Sequence, residues 1–126
     1  MIDVEKQVAH WRKGANDALD DAQYLILGGR ITLGLFAIHL ALEKAIKAHV
    51  IKKTNKMPPR IHNLLSLAQL ISLPLSAEQE RLLAALNAFN IRGRYPDMPG
   101  ESPSFADAQT VLERAKEMFE WLMKRL

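Results

Sequence analysis

Phe36-Ala37-Ile38-His39-Leu40-Ala41-Leu42-Glu43-Lys44-Ala45-Ile46-Lys47-Ala48 decides the fold of this chain. Its apolar residues surround the helical wheel instead of keeping to one stripe, and a helix that is apolar nearly all round is central in its fold. His39, Glu43 and Lys47 follow one another at i, i+4 and i+8, so they form a single row on that helix, among Phe36, Leu40 and Ile51. Ionisable groups on a central helix need partners, because an unpaired buried charge is expensive. The row therefore predicts a polar groove, completed from a second helix.

Helices follow on both sides of this stretch. Val4, Val8, Trp11, Ala15, Ala18, Ala22 and Leu25 recur at spacings of three and four, a first amphipathic helix that Gly28-Gly29 ends. The central helix runs from about Ile31 to Lys53. After Pro58-Pro59 a short helix turns Leu64, Leu67, Ala68 and Ile71 inward and stops before Pro74. Ser76 and Gln79 form a capping box that opens a fourth helix with Leu82, Leu83, Leu86 and Phe89 on its apolar side. The run from Tyr95 to Pro103 holds three prolines and a glycine and is a loop. Ser104 caps a last helix with an apolar stripe of Ala108, Val111, Leu112, Ala115, Met118, Phe119 and Leu122. No stretch alternates with period two long enough to be a strand. The expected fold is all-α, an up-and-down four-helix bundle with one additional short helix, in a single domain over residues 1–126.

Composition narrows the chemistry. Cysteine is absent from the 126 residues, which excludes disulfides, thiolate catalysis and Cys-based zinc sites. Lys and Arg number 17 against 14 Asp and Glu, a mild net charge of +3. The basic residues gather at Lys52-Lys53, Lys56 and Arg60, which read first as solvated surface, and again at Arg92 and Arg94; either group can attract phosphate. No apolar run approaches the roughly 20 residues of a membrane span, and Met1-Ile2-Asp3-Val4-Glu5 lacks the order of a signal peptide, so a cytoplasmic protein is expected.

On the fourth helix Leu83, Asn87, Asn90 and Arg94 form a second row, apolar at its start and cationic at its end. If the second and fourth helices meet through Leu40, Leu83 and Leu86, the two polar rows face one another, and Glu43 takes Lys47 or Arg94 as partner while Asn87 and Asn90 satisfy the remainder. The alternative is a buried ion pair that sets helix register and binds nothing. His39 and Glu43 have the spacing of a metal pair, but no third ligand stands nearby, so neither metal nor cofactor is expected. His62 is either a general base brought from another segment or a locally bonded residue at a helix start, and Tyr95 either stacks on a base or packs beneath its loop. His10 and His49 read as surface, and Trp11 and Trp121 as core or dimer surface.

His39-Leu40-Ala41-Leu42-Glu43-Lys44-Ala45-Ile46-Lys47-Ala48-His49, then Pro59-Arg60-Ile61-His62-Asn63-Leu64-Leu65, then Asn90-Ile91-Arg92-Gly93-Arg94-Tyr95-Pro96-Asp97, resembles in order and spacing the HEPN domain, the nucleotide-binding domain of higher eukaryotes and prokaryotes. The resemblance spans nearly the whole chain, from Trp11 into the last helix. It implies a small bundle that commonly dimerises and is often encoded beside a minimal nucleotidyltransferase in toxin–antitoxin-like pairs. Some members are metal-independent ribonucleases that use an Arg followed after four to six residues by a His. None of the eight Arg residues here has a His at that spacing.

The expected function is thus a nucleotide- or RNA-phosphate-binding module acting with a nucleotidyltransferase partner. Its ligand site comprises His39, Glu43, Lys47, Asn87, Asn90, Arg94 and Tyr95, with Lys47 and Arg94 as the cations. The alternative is a ribonuclease toxin in which Arg94 and His62, or His39, replace the missing pair. A third possibility is a vestigial groove on a dimerisation scaffold. A homodimer is expected, through the generous apolar faces that carry Trp11 and Trp121.

Overall fold

The computed structural model describes residues 2–94 and 103–126, with side chains described over 2–90 and 103–126. Five helices follow in order, α1 (Val4–Leu27), α2 (Ile31–Thr54), α3 (Leu64–Leu70), α4 (Ala77–Arg94) and α5 (Phe105–Lys124), and no strand occurs among the described residues. The all-α bundle of four long helices and one short one is the fold that the periodicity predicts.

Local chemistry sets the helix ends. The Asp3 carboxylate accepts from the Lys6 amide at 3.1 Å, Ser104 Oγ from the Asp107 amide at 3.1 Å, and Ser76 and Gln79 form the reciprocal capping box at 3.1 and 2.9 Å. Gly28 closes α1, and Gly29 follows at φ +80, a conformation that costs an L side chain but not glycine. The chain thereby reverses within three residues, and α2 returns along α1.

The α1–α2 pairing is the most extensive in the molecule. It is close because Gly34 faces Ile26: a Cβ built at position 34 stands only 2.4 Å from Ile26 Cδ1. Further along, Gly14 lies against the Lys44 stem and Trp11 against Lys47, so α1 and α2 run antiparallel. α2 also packs on α3, α4 and α5, which places it at the centre. Ile38, Ala41, Leu42, Ala45 and Ile46 are wholly buried and meet Ala15, Ala22 and Ile26 of α1, Leu83 and Leu86 of α4, and Leu122 of α5 in one hydrophobic core. Burying a Leu or Ile side chain contributes about 1.5–3 kcal/mol, so α2 is the main source of cohesion.

Candidate functional site

The polar row of α2 sits inside this apolar helix. His39, Glu43 and Lys47 are 1%, 4% and 5% exposed, so the row is an internal feature of the bundle. Glu43 is its hub. Its Oε2 accepts a hydrogen bond from Lys47 Nζ at 2.9 Å, and the His62 imidazole brings Nδ1 to 3.1 Å from the same oxygen and 3.2 Å from Oε1. His39 Nδ1 lies 3.6 Å from Oε1. A carboxylate accepts several hydrogen bonds through its two oxygens, so one acid serves these three bases.

The three bases differ in their surroundings. Lys47 balances the Glu43 charge, and its ammonium also lies 5.7 Å from the centre of the Trp11 ring, where the π face favours a cation. Burial pushes the His39 imidazole below its ordinary value of 6.5, while Glu43, Asn87 and the His62 backbone pull it the other way. Burial, the largest of these influences, favours the neutral ring of His39, a polar spacer in the core. His62 differs from both, because 47% of its side chain remains exposed. With Nδ1 facing Glu43 as a donor, Nε2 is the ring nitrogen left for a ligand.

α4 reaches the same place through the residues that follow His62. Asn87 Oδ1 accepts from the Leu64 amide at 2.9 Å, and its Nδ2 donates to Asn63 Oδ1 at 3.1 Å. Asn63 in turn caps α3, accepting from the Ser66 amide at 3.1 Å. The run His62-Asn63-Leu64 thus joins α2 to α4. Both hydrogen-bonding ends of Asn87, a residue expected to serve a ligand, are engaged in seating α3. Asn90, one turn further along α4, is buried. Arg94 ends α4, but its side chain, like the whole of Tyr95, lies outside the described residues.

The α2 and α4 rows meet as expected where Asn87 acts on His39, and the loop through His62, Asn63 and Leu64 ties them together further. Glu43 takes Lys47, one of the two partners expected for it, and also His62, which spacing on a helix cannot reveal. Asn63 was missed as well, although an Asn just before the apolar Leu64-Leu65 is a recognisable helix start. His49 is a correction: it is half-buried, and its Nε2 donates to the Leu122 carbonyl at 2.8 Å because α2 and α5 finish side by side. No group of three or more His, Cys, Asp or Glu able to hold a metal occurs among the described residues. Nor is any described helix long and apolar enough to cross a membrane.

Fold and cluster together define a class: a small α-helical domain whose central helix carries a buried acid-base row, approached by a half-exposed histidine. The chain belongs to the HEPN domain family, whose model matches residues 8–126. The functions of that family are generally nucleotide- or RNA-related. Two solved structures share the fold. TT1696 from Thermus thermophilus superposes with a TM-score of 0.78 at 23% identity, over 95% of this chain and 98% of the other. ST0689, an archaeal HEPN homologue, gives a TM-score of 0.62, also at 23% identity, over 99% and 98%. No curated protein matches the chain.

Proposed function

We propose that this protein is a nucleotide- or RNA-phosphate-binding module that works with a minimal nucleotidyltransferase partner in a toxin–antitoxin-like pair, as a cytoplasmic homodimer. The observation that carries the reading is the contact of half-exposed His62 with buried Glu43 at 3.1 Å. It holds a half-exposed imidazole on a rigid mount, in the loop that Asn87 ties to α4. In the protonated ring Nε2 is an N–H donor to a phosphate oxygen. Arg94, one turn after Asn90, supplies the second cation, and Tyr95 a stacking surface. Glu43, Lys47 and His39 stand behind the ligand and hold His62, while Asn87 and Asn90 belong to the α4 wall.

The same contact favours a second reading, a metal-independent endoribonuclease. A neutral His62 with Nδ1–H held by Glu43 offers the Nε2 lone pair as a base toward a 2′-hydroxyl, with Arg94 as the cation for the phosphate. A titration of ATP and of a short single-stranded RNA, followed by a gel assay of that RNA, separates the two. Binding that weakens in His62→Ala and Arg94→Ala with the RNA left intact supports the module. Cleavage by the wild type that both substitutions abolish establishes the ribonuclease, and absence of binding and cleavage alike removes both. Co-purification with the product of an adjacent nucleotidyltransferase gene tests the partnership.

A further inference from the structure

The C-terminal ends of α2 and α5 and the turn after α3 enclose a hollow of about 480 Å³ on a different face of α2 from Glu43 and His62. Its charged lining is uniformly basic. Lys52, Lys53 and Arg125 border it together with His49 and Ser72, and no acidic side chain does. No acidic side chain pairs with these three cations among the described residues.

Part of the cluster has a structural duty. Lys53 Nζ donates to the Ile71 carbonyl at 2.7 Å and His49 Nε2 to the Leu122 carbonyl, acceptors that helix ends leave over, and Lys52 Nζ donates to the main-chain oxygen of Leu126. That duty uses one hydrogen of each ammonium, and an ammonium has three. The Arg125 guanidinium stacks 4.7 Å from the Trp121 ring centre, a contact through its face that leaves the N–H edge unspent. His49 registers the resulting field: burial lowers its titration first, and Lys52 and Arg125 lower it further despite the opposing bond to Leu122.

We propose that this hollow is a second anion site, which binds a compact polyphosphate through Lys52, Lys53 and Arg125. Three permanent charges beside an open hollow of this size match a ligand of two or more linked phosphates. It is independent of the His62 surface. The Ser72 hydroxyl, on a residue held at φ 50, adds a neutral donor at the rim.

Inorganic pyrophosphate is the probe, titrated into the full chain while the amide and His49 ring resonances are followed by NMR. Saturable shifts at Ser72, Leu73 and Arg125, with the His49 titration moving upward as the anion offsets the two cations, are expected. The exposed residues permit charge removal without disturbing the core: Lys52→Gln/Arg125→Gln weakens binding by about tenfold or more, and the shifts at Ser72, Leu73 and Arg125 are the same in His62→Ala. Should the double variant not fold, Lys52→Gln alone carries the test with a several-fold loss. Shifts that persist in the neutralised variants overturn the proposal, as does a response no stronger than that to chloride or sulfate at equal ionic strength. A short RNA that occupies the hollow more tightly than pyrophosphate also overturns it in favour of a nucleic-acid face. Loss of RNA or ATP binding in His62→Ala with pyrophosphate binding intact keeps the fates of the two sites separate.

Discussion

Glu43→Gln isolates the charge at the centre of the bundle, since the amide keeps the shape of the side chain and an oxygen for Lys47. The ammonium it leaves behind belongs to a side chain only 6% exposed. Removing one partner of a buried ion pair typically costs about 3–5 kcal/mol, because the survivor remains desolvated and uncompensated. The Trp11 face offsets a part of that, on the order of 1 kcal/mol, which leaves a loss of roughly 2–4 kcal/mol. For a chain of 126 residues the melting temperature then falls by about 6–16 °C. Glu43→Gln/Lys47→Met removes both charges and recovers most of the loss. His62→Ala costs under about 1 kcal/mol, because that partner is half in solvent. Thermal and urea unfolding followed by circular dichroism measures all three. If Glu43→Gln costs under about 1 kcal/mol, or if the double variant is no more stable than the single, the two residues are not a buried, mutually dependent unit.

The histidines make stability depend on pH with a definite sign. The folded values of His39 and His49 lie below the ordinary 6.5, so the unfolded chain binds protons first; stability is full above that value and is lost as the pH falls from it toward each folded value. The slope reaches about 1.4 kcal/mol per pH unit for each histidine, and unfolding midpoints between about pH 6.5 and 5 should flatten in His49→Gln. Gly34→Ala forces a methyl to within 2.4 Å of Ile26 Cδ1 and is expected to cost about 1–3 kcal/mol, reduced by the better helix propensity of alanine; Ile26→Val in the same chain should recover part of it, and simple additivity refutes the clash. Asn87→Ala strips the Leu64 amide and Asn63 of their partner, with an expected loss of about 1–2 kcal/mol and faster hydrogen exchange at Leu64; unchanged exchange there counts against the seating of α3 by α4.

What the linear order of residues determines is everything that acts within a few turns of one helix. Ser76 with Gln79, Ser104 and Gly28-Gly29 mark their helix ends because a cap contacts residues at most four away. The missing polar face of 36–48 marks α2 as central for the same reason, and the i, i+4 relation brings Lys47 to Glu43. Tertiary packing alone decided the rest. His62 reaches Glu43 across 19 residues, Asn87 leaves its own row to seat α3 across 23, and His49 meets Leu122 across 73. Helical periodicity states which residues share a face; which loop is folded against that face depends on how the helices close around a common core, and no local spacing carries that information.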